Sequence, residues 1–76
     1  MLLYKACFKT KIGTLYYLWL DEAGGPAVAA LTTDKSWMEE YASILKGEDE
    51  SISVNNKRFD RLEASINDYL EDVLTG

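Results

Sequence analysis

The chain contains no histidine, one cysteine (Cys7), one proline (Pro26), and eight basic residues against thirteen acidic ones in a length of 76. Each scarcity excludes something. A single thiol cannot close a disulfide within the chain, and a reduced thiol suits a cytoplasmic protein. Structural zinc takes about four ligands, mostly Cys and His, so a zinc staple is excluded, and no other cofactor is called for. Serine-hydrolase chemistry lacks its histidine base. The net charge of −5 has the wrong sign for displacing counterions from phosphates, which argues against direct nucleic acid binding. The longest apolar run falls far short of the roughly 20 residues a membrane span needs, and the N-terminus lacks the apolar core of a signal peptide. A soluble, cytoplasmic protein is the expectation.

What the chain does have is apolar side chains in ordered patterns. A chain of this length is expected to form one domain, residues 1–76, burying only about 60% of the surface that its unfolded form exposes. Over residues 2–9, Tyr4, Ala6 and Phe8 alternate with Leu3, Lys5, Cys7 and Lys9, the period of a half-buried strand. Thr10 to Gly13 make a turn. The run from Leu15 to Leu20 is apolar at every position, so Leu15, Tyr17 and Trp19 point one way while Tyr16, Leu18 and Leu20 point the other. This second strand needs cover on both faces. Asp21 to Pro26 supply another turn, and residues 27–33 form a third strand carrying Val28, Ala30 and Leu31.

Helical spacing follows. Ser36 and Glu39 match a capping box that starts a first helix, with Trp37 or Met38, Tyr41, Ile44 and Leu45 on one face and Gly47 as its stop. Residues 48–56 read as loop, including the solvated acidic run Glu48 to Glu50, with Ile52 and Val54 able to form a brief extended piece. A second helix is predicted from Lys57 to Thr75, its stripe formed by Phe59, Leu62, Ile66, Tyr69, Leu70 and Val73 and its C-cap by Gly76. The fold class is α+β: a three-stranded antiparallel meander, strand two central, followed by two helices. If both helices lie on one sheet face, the other keeps an apolar patch that serves as a docking surface; one helix on each face leaves none.

No catalytic constellation is visible. Cys7 is the strongest nucleophile by type, but a mid-strand cysteine without histidine is an inert packing residue. Asp68, Glu71 and Asp72 share part of a helix surface, as do Glu39 and Glu40, and a solvated face accounts for both groups. Gly24 and Gly25 make a turn, without the lysine of a phosphate loop. Tyr4, Phe8, Tyr16, Tyr17 and Trp19 could make a base-stacking platform, but only Lys5, Lys9 and Lys11 lie near them, so core or interface is the better reading. No catalytic, cofactor-binding or metal-ligating residue is therefore expected.

Thr10-Lys11-Ile12-Gly13-Thr14-Leu15-Tyr16, after an opening strand and before the acidic, glycine-containing turn at Asp21 to Gly25, resembles the start of methylated-DNA-protein-cysteine methyltransferases, the alkylguanine-DNA alkyltransferases. Tyr69-Leu70-Glu71-Asp72-Val73-Leu74-Thr75-Gly76 resembles the close of that family's N-terminal ribonuclease-like domain. Lys11 stands where the family commonly has proline, and Val73-Leu74 where it often has Tyr-Phe. The resemblance implies the non-catalytic N-terminal support domain of a DNA repair protein, whose alkyl-accepting cysteine lies in a Pro-Cys-His-Arg motif of a separate C-terminal catalytic domain. That motif is absent here, and Cys7 matches it in neither position nor neighbours. The implied partner is the catalytic domain. Two alternatives stay open: a stand-alone acidic interaction module, capable of weak self-association, and a small enzyme using Cys7.

Overall fold

A computed structural model of the chain describes residues 2–48 and 51–75. Six elements follow in order: β1 (Leu2–Thr10), β2 (Gly13–Glu22), β3 (Gly25–Thr32), α1 (Lys35–Lys46), β4 (Ser53–Asn56) and α2 (Asp60–Thr75). The predicted meander is present. β1 pairs antiparallel with β2, from Leu2 opposite Asp21 to Thr10 opposite Gly13, and β2 pairs antiparallel with β3. The tight turns at Gly13 and Gly25 use φ values of 115° and 116°, a region that a Cβ would strain.

The sheet does not end as a three-stranded meander. β4 joins it as a fourth strand, parallel to β1, giving the mixed order β3-β2-β1-β4. The brief extended piece foreseen at Ile52 and Val54 is thus a full edge strand, with Leu3 opposite Val54 and Lys5 opposite Asn56. Because β3 and β1 both run antiparallel to β2, a strand parallel to β1 must be reached by a crossover, and α1 is that crossover.

This topology places one helix on each face. Under α1 lie Leu3, Leu18 and Ala30 from the sheet with Met38 and Ala42 from the helix, and Tyr16, Leu20 and Val54 pack around them. Under α2 lie Tyr4, Phe8, Leu15, Tyr17 and Trp19, met by Phe59, Leu62, Ile66 and Leu70. The all-apolar run of β2 is explained by its two roofs: Leu15, Tyr17, Leu18 and Trp19 are buried, and Tyr16 and Leu20 half-buried. The arrangement with both helices on one face, and the open docking face it implied, is overturned.

The cause is visible in the connection from β4 to α2. The Trp19 indole N–H donates to the Lys57 carbonyl at 2.9 Å, and the Phe59 amide donates to the Tyr17 hydroxyl at 2.7 Å. Both aromatic side chains project from the face opposite α1, so their polar tips draw the connection around the sheet edge to that side. They also delay the helix: residues 57–59 precede α2, which begins at Asp60 rather than Lys57.

Smaller differences have local reasons. The N-cap of α1 is Asp34, whose carboxylate accepts from the Trp37 amide at 3.2 Å, and Ser36 lies within the first turn. Gly47 ends the helix with φ 55°, as its position predicts. A bulge between Leu18 and Trp19 leaves Ala29 without a partner in β2, so Ala30 faces α1 while both Val28 and Leu31 project on the α2 side. Gly76 and most of the acidic run, Asp49 and Glu50, lie outside the described residues.

Candidate functional site

Two regions carry polar chemistry. The first is an ion-paired network at the start of α2. The Tyr17 hydroxyl donates to Glu63 Oε2 at 2.5 Å, and Arg58 Nε reaches Glu63 Oε1 and Oε2 at 3.1 and 3.0 Å, with Arg58 Nη2 on Oε1 as well. Glu63 is buried and Tyr17 is fully so, whereas the Arg58 side chain is largely exposed. The Arg58 guanidinium, joined by the Tyr17 hydroxyl, holds the Glu63 carboxyl below its ordinary range despite burial. Burial, with the hydrogen bond to Glu63, raises the Tyr17 phenol above its own. The Tyr17 hydroxyl and the Glu63 carboxylate are satisfied within the network, and the exposed Arg58 also borders a surface hollow. It is an anchor that fixes α2 to the sheet, one that sequence reading did not foresee because Tyr17 and Glu63 are 46 residues apart.

The second region is a cleft on the α1 side, where helix cover stops short. α1 roofs the Leu3 end of β1 and leaves Lys5 half-buried and Cys7 exposed. Lys35, Met38 and Glu39 form one wall and Lys5, Cys7 and Asn56 the other, with Tyr16 between them, around a volume of about 310 Å³. A second hollow of about 200 Å³ shares Lys5 and Glu39 and continues to Lys46. Cys7 was expected as an inert packing residue; it is instead an exposed thiol on the cleft wall, outside the cluster that α1 covers.

The remaining sequence candidates separate. Asp68, Glu71 and Asp72 are exposed on α2, where Glu71 pairs with Lys11 at 3.6 Å, and Glu39 and Glu40 are exposed on α1. Of the aromatics weighed as a stacking platform, Tyr4, Phe8, Tyr17 and Trp19 are core and Tyr16 is half-buried: Tyr4 stacks on Trp19 at a centroid distance of 4.5 Å and Trp19 on Phe59 at 5.3 Å. Among the described residues no group of three or more His, Cys, Asp or Glu could hold a metal. No helix of the described residues is long and apolar enough to cross a membrane.

Exposed apolar side chains gather at the far end of α2. Tyr69 and Val73, one turn apart, are 66% and 57% exposed, and Leu74, one turn beyond the packed Leu70, extends the inner stripe past its cover. The Lys11–Glu71 pair ties this end to the β1–β2 turn, whose Ile12 is exposed too. Comparison of the chain with protein-family models, curated proteins and solved structures finds no match in any of the three.

Proposed function

We propose that this chain is a non-catalytic support domain that docks a catalytic domain, in the manner implied by its resemblance to the N-terminal domain of methylated-DNA-protein-cysteine methyltransferases. The observation that carries the reading is the apolar surface at the end of α2, where Tyr69, Val73 and Leu74 stand exposed. Grouped exposed apolar side chains of this size mark contact surfaces more often than scattered ones do. With both sheet faces roofed, docking moves from a sheet face to the outer side and end of α2. The ribonuclease-like arrangement implied by the resemblance belongs to the same proposal; the meander with two helices supports it, and β4 adds to it. A cytoplasmic location goes with it, on the strength of the free, exposed Cys7.

A stand-alone interaction module is the second reading, and one observation favours it. β3 is an edge strand without a charged residue from Gly25 to Thr32, and its Val28 and Leu31 are exposed. Natural edges usually carry charges that discourage pairing with another chain.

The open reading frame beyond Gly76 and one binding experiment decide between them. A downstream Pro-Cys-His-Arg segment supports the repair assignment. The chain titrated with an alkyltransferase catalytic domain should bind it, and the Tyr69→Asp/Val73→Asp double variant should lose that binding. Absence of binding, together with self-association that rises with concentration in sedimentation, would overturn the support-domain reading in favour of the second.

A further inference from the structure

The cleft beside α1 has a charge that the chain as a whole does not. Lys5, Lys35, Lys46, Lys57 and Arg58, five of the eight basic residues, line it and two hollows that adjoin it, one toward Lys46 and one past the end of β4, whereas Glu39 is the one carboxylate among the lining residues. Lys57 is occupied over the Tyr4 ring and Arg58 by Glu63. Lys5, Lys35 and Lys46 make no ion pair among the described residues.

A backbone feature points to the same place. β4 ends at Asn56, opposite Lys5, while β1 runs on to Thr10; the last rung between them is the Lys57 amide donating to the Lys5 carbonyl at 3.3 Å. Backbone groups of a strand alternate from side to side, so the amide of Cys7 points the same way as the Lys5 carbonyl. No strand meets it there. The adjoining hollow, about 330 Å³, is bounded by Lys5, Cys7, Asn56 and Arg58. An edge N–H, an amide side chain and the ammonium groups of Lys5 and Lys35 thus border one cleft, against the single carboxylate of Glu39, while Tyr16 and Met38 give it an apolar wall.

We propose that this cleft binds a small organic phosphate monoester, its dianion held by Lys5, Lys35, the Cys7 amide and Asn56 and its body lying against Tyr16 and Met38. Two negative charges answer two lysines, and three peripheral oxygens answer the donors; a monocarboxylate would leave part of the set unused. A volume of about 310 Å³ lies at the small end of small-molecule sites. A polymer such as nucleic acid would have to continue across a surface whose net charge is −5, which favours a compact ligand. The site is independent of the support-domain reading, since it lies on the α1 side and uses none of the residues at the end of α2.

The test is a heteronuclear NMR titration of the intact chain with phenyl phosphate, inorganic phosphate and phenol. Phenyl phosphate should give saturable shifts at the Lys5, Cys7 and Lys35 amides with Kd at or below ~1 mM. Inorganic phosphate should bind more weakly at the same amides, and phenol should not saturate. Lys5→Glu and, separately, Lys35→Glu should each weaken phenyl phosphate binding by roughly tenfold. Both side chains are outside the core, so thermal melting of the variants should match the parent and Lys11→Glu should bind normally. Equal affinity in parent and Lys5→Glu, shifts confined to other regions, or phenol binding as tightly as phenyl phosphate would each overturn the proposal.

Discussion

Replacing Tyr17 with Phe removes one oxygen atom and tests what holds α2 in place. That oxygen donates to Glu63 and accepts from the Phe59 amide, at a site where Tyr17 is fully buried. The variant therefore loses one hydrogen bond to a carboxylate and strands one backbone donor. Hydrogen bonds to charged groups contribute about 1.5–3 kcal/mol and an unmet buried donor costs about 1–3, so a combined loss of about 2–3 kcal/mol is expected once partial solvation of the freed groups is allowed for. In a domain of this size each kcal/mol moves Tm by about 4–8 °C, which puts the fall at roughly 10–20 °C. Thermal unfolding followed by far-ultraviolet circular dichroism measures it. Tyr4→Phe is the control: its ring is buried against Trp19, but its hydroxyl makes no hydrogen bond among the described residues, and the shift should stay within about 0.5 kcal/mol. If the two variants melt together, the network does not anchor α2. The alkaline limb gives a second readout. Because the folded Tyr17 phenol titrates above its ordinary 10.0, the unfolded chain ionises first as pH rises past that value. The parent then loses stability relative to the variant, in which this difference vanishes.

Two further expectations come from the same structure. The folded Glu63 carboxyl titrates below its ordinary 4.5, so the unfolded chain takes up the proton first and the stabilisation present above that value is lost as pH falls through the lowered folded one; Glu63→Gln should flatten this acid limb in urea unfolding measured from pH 6 downward. Asp34→Ala should cost about 1 kcal/mol through loss of the cap on the Trp37 amide, whereas Ser36→Ala should change stability by less than about 0.5 kcal/mol, and the reverse ranking in chemical denaturation would restore the capping box.

The elements with strong period and sharp turns were legible, and those decided by long-range partners were not. β1 declares itself by alternation, and the apolar run of β2 correctly announces two covered faces. Which helix covers which face is settled elsewhere, by the hydrogen bonds of Trp19 and Tyr17 to residues 57–59, and no local pattern encodes them. β4 is short and polar, Ser-Val-Asn-Asn, with only Val54 directed to the core, so its pairing with β1 is tertiary in origin. At the start of α1, Asp34 and Ser36 are both good caps, and spacing alone prefers the wrong one. The predicted stripe meets the sheet at Phe59, just before α2, and at Leu62, Ile66 and Leu70 within it, and was too generous at Tyr69 and Val73, which are exposed. The cleft was invisible for a related reason. Lys5, Lys35 and Lys46 come from two elements that only the crossover brings side by side, and in a chain of net charge −5 their local excess is hidden by the total.

Roofing both faces of the sheet narrows where function can reside. With so few residues, a partner cannot enter the core without displacing a helix, and displacing α2 would break the Tyr17–Glu63–Arg58 anchor along with the burial of five aromatic or apolar sheet residues. Among the surfaces that remain accessible are the outer side and far end of α2, the uncharged edge of β3, and the notch where β1 outruns β4. These three differ in chemistry. The α2 end is apolar and suits a protein surface, the β3 edge offers backbone groups to another strand, and the notch gathers cations in an otherwise acidic molecule. The notch lies where β1 passes the end of β4 and the α2 end lies by Lys11 of the β1–β2 turn, and the two share no side chain, so a small anion and a docked domain can be held together. Their effects should then combine with no more coupling than about 0.3–0.5 kcal/mol, as expected of sites that share no side chain.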